Sequence, residues 1–290
     1  MVQASRLGLA RQAGMNLRVI PASGSLGAYL EGVQLHDIIV SESAVSEFRQ
    51  VLVEREVVFM RGQDQDPFIL AKFARRFGDL LDHEAYTKTS ETDEVQILES
   101  TAEKPSKIEK WHSDMTFMKA PPNFTLLQAR VVPAYGGDTL WASATLAFEN
   151  LSPAMREFIS GLSAEHDFRK GFAESLAEPG GEDRLKGLLA NHPPVTHPLI
   201  RTHPESGRKS LFLNSLFTTR IVELEKTESE LLLGHLAAQI VKEENTVRLG
   251  WEPGTIAMWD NRSTQHKPVN DFFPMHRLMQ RITLAGEVPY

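Results

Sequence analysis

Apolar residues recur along the chain at two spacings, and the change from one to the other marks out the elements. From position 41 the run SESAVSEFRQVLVERE places Val45, Phe48 and Leu52 at helical intervals behind a capping serine, which predicts an amphipathic helix. VVFM at 57–60 is a brief, continuously apolar strand. DPFILAKFARRFG at 66–78 predicts a second helix, opened by Asp66-Pro67 and closed by Gly78. Upstream, LRVIPASGSLGAYLEGVQL at 17–35 reads as short strands, with Ala28, Leu30 and Gly32 alternating against Tyr29, Glu31 and Val33. Gly24 and Gly27 lack the following helix and lysine of a phosphate loop, so they read as a turn.

Residues 124–140 are strand-like and interrupted by Pro133 and Gly136-Gly137, and LSPAMREFISGL predicts a short helix from Ser152-Pro153. Residues 174–191 are polar and contain glycine, and read as a mobile segment. SLFLN at 210–214 and TIAMW at 255–259 are strands with a helix near 227–242 between them, and a last strand covers 277–284. Strands with helical insertions and no regular βαβ alternation predict a mainly β fold, a sheet sandwich or barrel decorated by helices. A chain of 290 residues can form one such domain, expected over 15–290, with the acid-free stretch MVQASRLGLARQAG at 1–14 as a frayed tail.

Composition narrows the function. The net charge of -7 comes from mixed charges without a basic block, so no electrostatic footprint for nucleic acid is present. No apolar run approaches the ~20 residues needed to cross a bilayer, and the N-terminus lacks a secretory core, which predicts a cytoplasmic protein without a membrane partner. The absence of cysteine excludes disulfides and thiolate chemistry, leaving nitrogen and oxygen ligands for any metal.

WHSDMTF at 111–117 is the first candidate for such a site. On a strand, His112 and Asp114 would project to one face, so an imidazole and a carboxylate could share a metal. The pair is a weak signal without a third ligand. His266 supplies one, in MWDNRSTQH after an apolar strand and a turn at Asp260-Asn261. Two histidines and one carboxylate suit non-haem Fe(II) with positions left open for O2 and substrate, whereas catalytic zinc more often takes three histidines or two with glutamate. RLMQRITLAG places Arg277 and Arg281 on one strand face about 13 Å apart, and buried arginines there call for anionic ligands.

These segments, together with GGDTLW (136–141), AEHDFRKGF (164–172), HPLIRTHPESGRKSLFLN (197–214) and FTTRI (217–221), resemble the taurine dioxygenase family, in the same order and over nearly the whole chain. The resemblance implies a double-stranded β-helix (jelly roll), with Fe(II) on His112, Asp114 and His266 and with 2-oxoglutarate and O2 as cosubstrates. It implies that Thr139 and Arg277 hold the distal carboxylate of 2-oxoglutarate, a task suited to the fork of a guanidinium. Arg281 would lie between cosubstrate and substrate sulfonate. His83, Tyr86, Phe172, Phe217 and the backbone N–H of Met115 would meet the substrate. The implied reaction couples decarboxylation of 2-oxoglutarate to hydroxylation beside a sulfonate, giving succinate, CO2, an aldehyde and sulfite. The family's members are usually homo-oligomers, and the substrate partner is a small organic anion.

Ile108 and Lys107 depart from this pattern. They fall where taurine-handling members have an asparagine and an aspartate near the substrate amine, and Gly171 replaces a small polar residue. An isoleucine cannot accept a hydrogen bond from a buried ammonium, at a cost of about 1–3 kcal/mol. The anion end of the site therefore reads as intact and the amine end does not, leaving alkyl sulfates or aryloxyalkanoates as alternative substrates. A jelly-roll binding module without catalysis is the alternative from another class; it requires a missing ligand, and none is missing.

Overall fold

The computed structural model describes residues 17–63, 65–82, 87–106 and 108–290. The first half of the chain supplies strands β1 (Arg18–Pro21), β2 (Ala28–Glu31), β3 (Val57–Met60), β4 (Leu80–Leu81), β5 (Gln96–Ser100), β6 (Phe124–Val131) and β7 (Thr139–Ser143). The second half adds β8 (Ser163–His166), β9 (Val195–Pro198), β10 (Ile200–Thr202), β11 (Lys209–Leu211), β12 (Thr218–Ile221), β13 (Thr246–Leu249), β14 (Ile256–Asp260), β15 (Thr264–Pro268) and β16 (Arg277–Leu284).

A large sheet runs in the order β1-β2-β3-β14-β6-β16-β4, with β5 also paired to β16. A smaller sheet, β13-β7-β15, lies against it. Between them Phe59, Trp141 and Trp259 meet ring to ring, with Trp141 centred 5.3 Å from Phe59 and 5.6 Å from Trp259. This is the interior of a jelly roll, and neither sheet closes into a barrel.

The period of two explains which residues reach that interior. Along β14, Ala257 and Trp259 face the sandwich, while Ile256 and Met258 face the helices that cover the other side of the large sheet. β3 divides in the same way, so VVFM and IAMW are apolar at consecutive positions because both of their faces are covered. The covering helices include Glu42–Arg55, capped by Ser41 Oγ on the amide of Ala44 at 3.3 Å. They also include Pro67–Ala74, capped by Asp66 on Ile69 at 2.9 Å. Burying side chains such as Phe48, Leu52 and Phe73 between helix and sheet contributes about 1.5–3 kcal/mol each.

The segment 174–191 departs from the expectation of mobility. It forms the helices Ala173–Ala177 and Gly181–Asn191, because Leu185, Leu188 and Leu189 share one helical face. Leu188 and Leu189 pack against a cluster containing Met115, Phe117, Phe168 and Phe217. The polar residues are merely the outer surface of that helix. The tail at 1–14 lies outside the described residues. Among the described residues no helix is long and apolar enough to cross a membrane.

Candidate metal centre and substrate cavity

The turn DNRST delivers His266 to its place at the mouth of the sandwich. Asp260 accepts from the amide and Nε of Arg262 at 2.9 and 2.8 Å, and Thr264 Oγ1 donates to its carbonyl at 2.7 Å. Burial alone would raise the Asp260 carboxyl, but Arg262 and His203 reverse this and hold it well below the usual carboxylate range. Strand β15 then starts, and its His266 exchanges two backbone hydrogen bonds with His112, at 3.0 and 2.7 Å. That one isolated bridge sets the two imidazoles side by side, with ring centroids 4.2 Å apart.

His112 and Asp114 are therefore not on one strand, as their alternation had predicted. Pairing ends at His112, the chain turns over 114–117, and Met115 takes the left-handed φ of 46°. A non-glycine residue held there costs of order 1–3 kcal/mol and persists only when its surroundings fix it. The turn still brings Asp114 back beside the imidazoles.

His112 and Asp114 are each oriented by the atom that faces away from the cluster, whereas His266 Nδ1 makes no hydrogen bond among the described residues. His112 Nδ1 donates to the carbonyl of Lys110 at 2.8 Å, leaving Nε2 to face inward. Asp114 Oδ2 accepts from Thr125 Oγ1 at 2.7 Å, and Thr125 in turn accepts from Asn261 Nδ2 at 2.8 Å. Asn261 Oδ1 accepts from Trp259 Nε1 at 3.0 Å and from the amide of Asp114 at 3.3 Å. Asp114 Oδ1 is left 3.9 Å from Nε2 of both His112 and His266 and 3.8 Å from Nη1 of Arg281.

At 3.9 Å neither imidazole hydrogen-bonds the carboxylate, yet the three ligand atoms lie within 4.8 Å of one another and all three residues are buried. Burial lowers the pKa of both histidines, that of His266 to about 3 with His112 adding to the effect, so both offer neutral nitrogen. Burial pushes Asp114 up, but His266, Arg281 and His112 outweigh it and leave the carboxyl at about 2. Two neutral nitrogens and one carboxylate, converging without bonding one another, fit a divalent cation with open coordination positions. Because Thr125 fixes the carboxylate, Thr125→Val should weaken Fe(II) binding by about 10–100-fold in an anaerobic titration, while secondary structure by circular dichroism stays unchanged.

Arg281 and Arg277 both lie on β16, which pairs with β5 so that Arg281 meets Gln96 and Arg277 meets Ser100. Arg281 Nε donates to Gln96 Oε1 at 3.0 Å. Arg277 Nε donates to the carbonyl of Gly137 at 3.1 Å, and its guanidinium lies 5.9 Å from the ring of Trp251. Trp251 Nε1 donates to Thr139 Oγ1 at 3.0 Å, so the indole joins Thr139 to Arg277. Gly137 permits this approach: its φ is 72°, and a Cβ there would lie 3.3 Å from Cδ of Arg277. Burial lowers Arg277 to about 10, and Asp138, the acid that opposes the shift, is itself bound to Arg248 at 2.6 Å. Among the described residues Arg277 forms no ion pair, which is the condition of a cation awaiting an anion.

A cavity of ≈ 380 Å³ opens over the cluster. Its lining includes His112, Asp114 and Arg281 together with Ile108, Met115, Phe172 and Phe217. Thr139 and Arg277 stand outside it, toward the interior of the sandwich. His83, Tyr86 and Lys107 fall outside the described residues. The cavity also contains Leu216 and two lysines, Lys110 and Lys170, that sequence reasoning missed. Lys170 donates to the carbonyl of Thr218. Gly171 has a steric reason: an added Cβ would lie 2.3 Å from Cε1 of Phe217, so the ring fills the space a side chain would need.

A jelly roll carrying two histidines and a carboxylate at its mouth defines the class of mononuclear non-haem iron oxygenases. The chain belongs to the taurine catabolism dioxygenase TauD, TfdA family, whose model matches residues 18–283. It is 37% identical to an alkylsulfatase of Acinetobacter baylyi, covering 94% of this chain and 86% of that one. It is 34% identical to an alpha-ketoglutarate-dependent sulfate ester dioxygenase of Pseudomonas putida, with 95% and 91% covered. A solved taurine dioxygenase from Burkholderia xenovorans superposes with a TM-score of 0.79 at 32% identity, over 94% of this chain and 92% of that one. The protein is an Fe(II)- and 2-oxoglutarate-dependent dioxygenase.

Proposed function

We propose that the enzyme oxidises the carbon bearing the anionic head of an alkyl sulfate ester, releasing sulfate and an aldehyde, with sulfonates as the second reading. His112, Asp114 and His266 hold the iron, and Thr139 and Arg277 hold the distal carboxylate of 2-oxoglutarate. Arg281, 3.8 Å from the Asp114 carboxylate in the cavity lining, orients the sulfate. Bound iron with 2-oxoglutarate and O2 supplies the oxidant, with succinate and CO2 as co-products. The protein's own part is to exclude water and to present one carbon of the tail. Hydroxylation there leaves a hemiacetal sulfate ester, whose C–O bond breaks to give aldehyde and sulfate.

The observation that carries this reading is the wall of the cavity, where Ile108, Phe172, Leu216 and Phe217 offer apolar surface to a tail. Asn270 Nδ2 donates to the carbonyl of Ile108 at 3.0 Å, which holds that residue in place. The rim acids Glu109 and Glu174 are exposed, where an ammonium gains little over water. The names of the alkylsulfatase and the sulfate ester dioxygenase support the same choice. Competition between alkyl sulfates and taurine tests it: the wild type should prefer the alkyl sulfate, and Ile108→Asn should shift the ratio of kcat/KM toward taurine by about 10-fold. A wild type that prefers taurine would overturn the reading.

A further inference from the structure

Two separate turns form adjoining parts of the cavity lining, in contact through the rings of Phe117 and Phe217, whose centroids are 5.0 Å apart. One, at 114–117, contributes Met115 and Phe117; the other, just before β12, contributes Leu216 and Phe217. Behind them lies a group of polar side chains that line no part of the cavity: Thr116, His166, His197, Asn214 and Thr218, each at most 3% exposed. Burying five polar side chains is unfavourable unless their hydrogen bonds are made, and here those bonds connect the two turns.

Asn214 organises the second turn. Its Oδ1 accepts from the amides of Leu216 at 3.1 Å and Phe217 at 2.8 Å, and its own amide donates to Thr218 Oγ1 at 2.8 Å. Its Nδ2 then crosses to the first turn and donates to Thr116 Oγ1 at 2.9 Å. Thr116 Oγ1 also lies 2.9 Å from His166 Nδ1. His197 Nε2 donates to the carbonyls of Thr116 and Met118, both at 3.0 Å. Thr116 directly follows Met115, whose left-handed φ needs an external restraint. On the opposite side Phe217 is seated over Gly171 with no space left for a Cβ, so its ring position is fixed from both directions.

We propose that the Asn214–Thr116 hydrogen bond is a clasp that fixes how the two turns are seated against each other, and through that the shape of the cavity they line and the tails the enzyme accepts. Both are positioning residues; neither touches the cavity. The proposal rests on the reading of this cavity as the substrate site, and its test separates the two. Thr116→Val removes the hydroxyl at nearly constant shape, and Thr116→Ser restores it; Thr116→Ala is a second variant that adds no methyl. The Fe(II)- and 2-oxoglutarate-loaded proteins are assayed against alkyl sulfates, alkanesulfonates and aryloxyacetates of graded tail length, using whichever class the wild type turns over. The valine and alanine variants should raise KM for the best tail by about 10-fold and flatten the dependence on length. The cosubstrate KM and the visible absorption band of the iron complex with 2-oxoglutarate should stay unchanged, and serine should recover the wild-type profile.

An unchanged length profile, or an equal loss of 2-oxoglutarate binding that serine does not rescue, would overturn the clasp. If the wild type turns over none of the three classes, the reading of the cavity fails, and the clasp is judged by amide hydrogen exchange. Exchange over 114–118 and 214–218 should then be faster in the valine variant than in the wild type, and equal exchange would reject it.

Discussion

Asp114→Ala should reduce succinate formation from 2-oxoglutarate to background, with or without an organic substrate. Asp114 supplies the only carboxylate in the buried cluster, and its Oδ1 stands 3.9 Å from each inward-facing imidazole nitrogen. Without it, two neutral imidazoles must hold a dication beside the guanidinium of Arg281, whose Nη1 lies 3.8 Å from that same oxygen. The loss of one ligand and of the charge that offsets Arg281 act together. Iron content, measured after anaerobic loading and desalting, should fall in parallel with succinate. Retained succinate production in this variant would exclude His112, Asp114 and His266 as the iron site.

Arg277→Met should raise the Michaelis constant for 2-oxoglutarate by about 10²–10⁴-fold, the loss of two charge-assisted hydrogen bonds at ~1.5–3 kcal/mol each. Methionine retains the apolar stem against Trp251 and Phe272, so the effect isolates the charge. The geometry favours a large effect, because Arg277 is held by one carbonyl and by aromatic rings and not by an acid. Its pKa, lowered to about 10 by burial, reflects the same shortage of compensating charge. Removal of a structural arginine would lower thermal stability and leave this constant unchanged, so initial rates over a range of cosubstrate concentrations separate the two.

The sequence made the sheets legible where spacing alone decides the structure. VVFM and IAMW are apolar on consecutive positions because helices cover one face of each strand and the sandwich the other. The helix at 181–191 does not stand out because Leu185, Leu188 and Leu189 are few among polar neighbours, and Phe117, Phe168 and Phe217, against which Leu188 and Leu189 pack, come from other segments. His112, Asp114 and His266 were legible as ligand types, but strand alternation gave the wrong reason for their convergence. A reciprocal backbone bridge and a left-handed Met115 bring them together, and neither leaves a local mark at positions 112–115. Trp251 reaches Thr139 and Asn214 reaches Thr116 across 112 and 98 positions, so no local pattern announces those two contacts.

The measurement that bears most directly on the assignment is the stoichiometry of a single aerobic turnover with a medium-chain alkyl sulfate. O2 consumption, succinate and inorganic sulfate are followed together in the iron-loaded enzyme. Equal amounts of succinate and sulfate should form for each O2 consumed, with the matching aldehyde. Succinate formed without sulfate, from a substrate that occupies the cavity, would rule out sulfate ester cleavage.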